Sequence, residues 1–355
     1  MIDEMTDESS PEEKLTDTTA QTEETAIEIT LRPGSLQEFV GQEQIKTQLQ
    51  ISIQASSKRE EPLEHVLLYG NPGLGKTTLA HIISREMNSH IKITAGPALE
   101  RVGDLAAILS NLQKGDVLFI DEIHRLNKTI EEVLYSAMED YALDIIIGKG
   151  PAARTLRMPL EKFTLIGATT KLNMLSSPLR DRFGHVFHLT YYDTADIEKI
   201  VRRNAGILET EIDNGASALI AERSRSTPRV ANRLLKRARD YAEVIHNGIL
   251  STEITRKALA LLNIDERGLD AVDRKILTAL IDKFSGGPVG LSTLAAAVAE
   301  EIETLEQIYE PYLLQIGMLE RTPRGRKATK DAYEHLGKKY TGQGANYELK
   351  ITNYE

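Results

Sequence analysis

The chain contains no cysteine, which excludes disulfides, zinc–thiolate centres and cysteine nucleophiles. It also has no apolar run approaching the ~20 residues that span a bilayer, and no basic-then-apolar leader at its N-terminus. These absences fit a reducing cytoplasm. Basic residues are almost missing from residues 1–26, where Lys14 is the only one. That acidic, polar stretch reads as a disordered tail. No internal repeat is visible.

What is present is more telling. The 355 residues suffice for two or three domains with ample apolar content for buried cores. A formal charge of −10 would argue against nucleic acid only if it were spread evenly. Arg and Lys instead cluster at 223–239 and 321–339, so local basic faces are expected.

The most informative stretch is Gly70-Asn71-Pro72-Gly73-Leu74-Gly75-Lys76-Thr77-Thr78, between the apolar run His65–Tyr69 and the helix-like Leu79–Ile83. Strand, Gly-rich loop and helix come in the order a phosphate-binding loop requires. Its glycines, Gly73 and Gly75 among them, let successive N–H groups converge on one anion at a helix N-terminus. Lys76 suits the β- and γ-phosphates, and the Thr77 hydroxyl suits Mg²⁺. A nucleoside triphosphate is the expected ligand.

Around this loop, helical spacing of Ile45, Leu49 and Ile53 predicts a helix, and further helices are expected over about 103–112 and 128–141. Strands are expected at 91–94, 116–121, 163–167 and 186–189. Such alternation predicts a doubly covered parallel sheet. Segments 144–147 and 154–158 flank the turn-rich Gly148–Pro151 and predict a protruding β-hairpin over about 143–160. From 194 to 262 the pattern is helical throughout, 263–268 reads as a junction, and 270–335 reads as helices followed by a basic hairpin. The expected organisation is therefore an α/β unit over 27–192, a helical unit over 193–263, a winged-helix unit over 266–340, and a tail over 341–355.

Hydrolysis needs more than binding. Asp121 ends an apolar strand and is a candidate Mg²⁺ ligand, while Glu122 is placed to polarise an attacking water. Thr170, ending the next strand, suits the γ-phosphate or that water. Arg180 and Arg182 offer guanidinium forks matched to phosphate oxygens, a surface ion pair being the competing reading for Arg180. Arg229, in Thr227-Pro228-Arg229, opens a helix of the second unit and could reach the nucleotide, or face water instead. Arg321, Arg324, Arg326, Lys327 and Lys330 gather in the last hairpin with no aromatic until Tyr333. Charge without stacking fits duplex backbone contact, against the competing reading of a solvated basic loop.

Taken together, Gly70–Thr78, Leu118–Glu122, Gly167-Ala168-Thr169-Thr170, Arg180-Asp181-Arg182-Phe183-Gly184 and Thr227-Pro228-Arg229 resemble an AAA+ ATPase. The segments Ile147–Arg154, Gly287–Leu291, Tyr309–Leu313 and Arg321–Arg326 resemble, more narrowly, the RuvB family of bacterial branch-migration motors. The likeness runs from about Leu31 to Thr329. It implies an AAA+ P-loop domain, a small helical lid and a C-terminal winged helix, using ATP and Mg²⁺ to drive branch migration of Holliday junctions. It implies nucleotide contacts at Leu31, Arg32, Gly73, Lys76, Thr77, Thr78, Glu139, Asp140, Tyr141, Tyr192 and Arg229. Arg182 matches an arginine finger lent to a neighbouring subunit, and Arg321 and Arg326 match DNA-contacting positions. The implied assembly is a homo-oligomeric ring, a hexamer, on double-stranded DNA at four-way junctions. A RuvA-type junction-binding partner would dock on the 143–160 hairpin, and a RuvC-type resolvase would join the complex. Two departures stand out: Lys171 where Arg is expected, and Ser226 where Gly usually precedes Thr-Pro-Arg. A clamp-loader-type switch and a nucleotide-sensing winged-helix regulator are the rival readings.

Overall fold

A computed structural model describes residues 30–147 and 154–340. The acidic tail over 1–26, the Gly148–Pro151 turn and the tail over 341–355 lie outside the described residues.

Five strands form one parallel sheet: β1 (Val66–Tyr69), β2 (Ile91–Ala95), β3 (Val117–Asp121), β6 (Thr164–Thr169) and β7 (His185–His188), in the order β2-β3-β6-β1-β7. The apolar runs of the central strands β1, β3 and β6 are near-continuous because both faces are covered there, whereas the edge strands β2 and β7 are partly exposed. Val66, Leu68, Phe119 and Ile166 pack in one cluster with Leu49 and Ile53 of α1 (Glu43–Arg59) and Leu79 and Ile82 of α2 (Lys76–Glu86). On the other face Leu67, Leu118, Ile120 and Leu165 pack with Leu105 of α3 (Val102–Leu109) and with Ile130 and Leu134 of α4 (Lys128–Asp140). Asn127 caps α4 by accepting from the Ile130 N–H at 3.0 Å.

His65, just before β1, is buried. Its Nδ1 accepts from Leu165 N–H at 2.9 Å, which leaves Nε2 to donate to the Met138 carbonyl at 3.3 Å. Burial depresses its pKa, so a neutral imidazole ties β6 to α4 across the sheet. The antiparallel pair β4 (Ala142–Ile147) and β5 (Arg154–Pro159) makes a separate two-stranded sheet, within the span of about 143–160 read as a hairpin from its turn-rich centre.

After the short α5 (Ser177–Arg180) and β7, four helices build the lid: α6 (Thr194–Ile207), α7 (Asn214–Glu222), α8 (Pro228–Ile245) and α9 (Thr252–Leu261). Ile197, Val201, Ile220, Leu234 and Leu235 of the lid belong to the same buried cluster as one face of the sheet. The segment read as a junction is tightly bonded: Asp265 accepts from the N–H groups of Arg267 and Leu269, both at 2.9 Å, and pairs with His335 at 2.9 Å.

The third unit has its own core. It comprises α10 (Ala271–Phe284), α11 (Leu291–Val298), a helical stretch from Ile302 that widens into a π-helical turn at Leu305–Tyr309 before α12 (Glu310–Gln315), the hairpin β8 (Leu319–Thr322) and β9 (Gly325–Ala328), and α13 (Lys330–His335). Within the basic hairpin, Gly325 and Arg326 are paired strand residues opposite Thr322 and Arg321. Arg326 also bridges to Val289, so a third strand-like segment completes the wing's sheet.

Candidate functional site

In a parallel sheet the strand C-termini share one edge, and ligands gather there. Here β3, β6 and β1 are neighbours, so Asp121, Thr170 and the loop after Tyr69 are brought together by pairing alone. The loop after β1 is shaped by its glycines. Gly70 has φ 144° and lies so close to the next strand that a Cβ would meet the Leu189 carbonyl oxygen at 2.4 Å.

Lys76 opens α2 from a buried position. Its ammonium donates to the carbonyls of Gly70 at 2.8 Å and Asn71 at 2.9 Å. Burial pulls its pKa down to about 8, with Asp121 opposing the shift and Arg229 adding to it. Lys76, Thr77, Thr78, Asp121, Glu122 and Thr170 line one side of a cleft. Arg32 from the lead-in, and Pro228, Arg229 and Asn232 from the start of α8, line the other. Arg229 N–H donates to the Gly73 carbonyl at 3.4 Å, so the lid touches the loop directly.

Glu122 holds a left-handed conformation, φ 47°, at the step from β3 into the following turn. Its carboxylate pairs with Arg125 at 3.3 Å. Thr169 is buried; its hydroxyl meets His124 Nδ1 at 3.0 Å and accepts from Lys171 N–H at 3.0 Å. The Thr170 hydroxyl next to it is buried with no protein partner. An orphaned hydroxyl on a polar cleft fits an oxygen-rich ligand. One carboxylate, Asp121, and one hydroxyl, Thr77, fit Mg²⁺, which takes few protein ligands and fills its shell with phosphate and water. Among the described residues no cluster of three or more metal-ligating side chains exists.

A smaller cleft adjoins the first and shares Arg32, Gly75, Thr78, Pro228 and Asn232 with it. Leu31, Phe39 and Tyr192 give it an apolar wall fit for a flat base. Arg203 and Asn204, which no local motif announces, close it. Arg203 donates to the Leu31 and Glu38 carbonyls, and Asn204 donates to Asn232 at 2.6 Å. Only the packing of α6 against the lead-in brings these groups in.

Three family models match in succession: the Holliday junction DNA helicase RuvB P-loop domain at 31–189, the RuvB AAA lid domain at 192–265, and the RuvB C-terminal winged helix domain at 266–337. The chain belongs to the RuvB family. A Holliday junction branch migration complex subunit RuvB from Dehalococcoides mccartyi is 57% identical over 340 residues, covering 96% of this chain and 97% of its own. One from Chloroflexus aggregans is 57% identical over 325 residues, covering 92% and 93%. A solved structure described as the Thermotoga maritima RuvB Holliday junction branch migration motor is 50% identical, covers 88% of this chain and 99% of that one, and superposes with a TM-score of 0.80. The expected RuvB architecture of P-loop domain, lid and winged helix is thus shown.

The other residues read from the sequence fall into two further places. Arg182 does not line the chain's own cleft. It stacks on Tyr135, 4.7 Å from the ring centroid, donates to that hydroxyl at 2.7 Å, and pairs with Glu139 at 2.5 Å. Asp140 pairs with Arg157 of β5, and Tyr141 packs edge-on to Phe163. Glu139, near the C-terminal end of α4, therefore sits beside Arg182, while Asp140 and Tyr141 engage Arg157 and Phe163. On the wing, Glu310 is fully buried and takes Arg321 Nε at 3.0 Å, Arg326 Nε at 2.9 Å and Arg326 Nη2 at 3.0 Å. Arg326 is thereby mostly sequestered, its side chain 15% exposed against 54% for Arg321. Arg324 occupies the exposed turn between the strands.

Both departures from the family pattern have a structural setting. Ser226 has φ 53°, the conformation for which glycine is favoured. Lys171 reaches the third unit and pairs with Glu306 at 3.4 Å and Glu303 at 3.8 Å.

Proposed function

We propose that this chain is an ATP-driven, ring-forming DNA translocase that promotes branch migration of Holliday junctions in recombination and repair. The observation that carries the reading is the convergence of Lys76, Asp121, Glu122, Thr170 and Arg229 on one cleft. These groups form an ATP-hydrolysing set rather than a mere anion hole. Lys76 and the loop N–H groups hold the phosphates. Glu122 swings from Arg125 to orient and polarise the attacking water, with the Thr170 hydroxyl opposite. Mg²⁺, held by Thr77 and Asp121, would supply charge neutralisation on the phosphates. Leu31, Arg32 and Tyr192 hold the base side.

The position of Arg182 away from its own cleft supports its role as a finger in trans, with Glu139, Asp140 and Tyr141 on the same inter-subunit face. A ring, read as a hexamer, then follows as the catalytic unit. The β4–β5 hairpin, with Leu156 52% exposed, suits docking of a RuvA-type partner, with a RuvC-type resolvase in the same assembly. Arg321 and Arg324 suit duplex phosphates, and Arg326 acts by holding the wing in shape beside them. The absence of a membrane-crossing helix among the described residues fits a cytoplasmic setting.

A synthetic four-way junction tests this. The protein, a RuvA-type partner, ATP and Mg²⁺ should convert it to two forked duplexes, and Glu122→Gln should not. ATP hydrolysis with the junction left intact would favour a clamp-loader-type switch instead.

A further inference from the structure

The nucleotide cleft has a wall that belongs to neither the P-loop domain nor the lid. Gln307, from the winged-helix unit, lines it together with Pro72, Glu122 and Thr170. It also lines a second, larger cleft that runs past Arg180 to Arg321, and Pro72 and Thr170 are common to both. Gln307 thus stands where the triphosphate side of the nucleotide cleft opens toward the wing.

Three independent features hold it there. Gln307 lies in the π-helical turn Leu305–Tyr309, a distortion that turns side chains out of the helical register and is frequent at functional sites. The turn is anchored on one side by Leu305, 1% exposed in the wing's core. On the other side Lys171, the residue after Thr170, pairs with Glu306 and Glu303, and Glu303 in turn accepts from Gln307 Nε2 at 2.6 Å. A second strut fixes the same unit to the lid: Arg225 pairs with Asp270 at 2.8 Å and with the buried Asp273, and lies 5.4 Å from the centroid of the Tyr312 ring. The DNA-binding unit is therefore clamped against both halves of the nucleotide site.

We infer that Gln307 is a substrate-contacting residue lent by the winged-helix unit, its side-chain amide binding the terminal phosphate of a bound nucleoside triphosphate and the water that attacks it. A primary amide has two N–H donors and a carbonyl acceptor. One donor is held by Glu303, which leaves a donor for a phosphate oxygen and an acceptor for a water. A diphosphate lacks the group this contact needs, so Gln307 would let the DNA-binding unit distinguish the two nucleotide states.

The inference rests on reading the cleft as the nucleotide site, and one set of measurements separates the two claims. Affinities for a non-hydrolysable ATP analogue and for ADP, with KM and kcat for ATP, would be determined for the full chain and for Gln307→Ala and Gln307→Glu. The residue is only partly buried, so neither substitution opens a core. Gln307→Ala should weaken the analogue on the order of tenfold, the scale of one hydrogen bond to a charged group, lower kcat, and leave ADP binding unchanged. Gln307→Glu, which sets a carboxylate against the terminal phosphate, should weaken the analogue further while ADP again holds. An ATP-to-ADP affinity ratio unchanged in both variants would overturn the assignment of Gln307. Failure of the wild-type chain to bind either nucleotide would instead overturn the reading of the cleft.

Discussion

Glu310→Gln should have opposite effects on the stability of the wing and on its hold on DNA. The Glu310 carboxylate is fully buried and accepts three hydrogen bonds from two guanidiniums. Burial alone would raise its pKa, but the bonds from Arg326 and Arg321 hold it below the ordinary carboxylate range. Removing one member of a buried pair costs about 3–5 kcal/mol. Arg321, 54% exposed, regains water and recovers part of that, whereas Arg326 cannot, so a loss of about 2–4 kcal/mol is expected. Thermal or urea unfolding of the winged-helix unit reads this directly. The folded-state pKa is depressed, so the contribution is present above about pH 4.5 and is lost as pH falls through the folded value. The same substitution frees positive charge at the tip of the wing. The dependence of duplex affinity on salt should therefore steepen by at most about one in log–log slope, the share of the exposed Arg321 alone, since Arg326 stays buried. Wing stability equal to wild type would refute the reasoning, as would an unchanged salt slope.

Lys76 makes a pH prediction: with its pKa near 8 and phosphate binding favouring the ammonium, nucleotide affinity should fall above about pH 8 with proton uptake on binding, which calorimetry in buffers of different ionisation enthalpy detects. By the same linkage the empty protein gains stability from this group between about pH 8 and its unfolded pKa of about 10.4. Arg182→Ala should reduce ATPase by on the order of 10³-fold while leaving nucleotide binding intact, and mixing with Lys76→Ala subunits should restore part of it; undiminished turnover in the assembled ring would rule out a finger in trans. Ser226→Gly should stabilise the lid by about 0.5–1 kcal/mol, because glycine relieves the positive φ at that position, and an unchanged or lower melting temperature would contradict this.

How much of this was legible in the sequence depends on how local the determinant is. The phosphate loop, the Asp121–Glu122 step and the β4–β5 hairpin are written in spacings of a few residues, and each is where it was expected. Arg203, Asn204, Asn232 and Gln307 were missed because nothing near them marks them; they reach the clefts only through the packing of α6, α8 and the π-helical turn. Arg326 reads as an available cation in a basic run. Its buried partner Glu310 lies 16 residues earlier, so burial and neutralisation were invisible. Glu139 carries a family likeness whose meaning depends on the Arg182 that pairs with it, a pairing that local spacing does not reveal.

The order of strands has a consequence for how the protein is made. β1, which carries the phosphate loop, has both of its partners far downstream: Val66 pairs with Ile166 and with His185. A ribosome adding ~5–20 residues per second leaves β1 unpaired for roughly 10 s. During that interval Val66-Leu67-Leu68 is an apolar segment with two open edges, while β2 and β3 can already pair with each other. Chaperone capture during synthesis should therefore concentrate at chain lengths short of β7, and fragments ending before His188 should be insoluble even though they contain the whole phosphate loop.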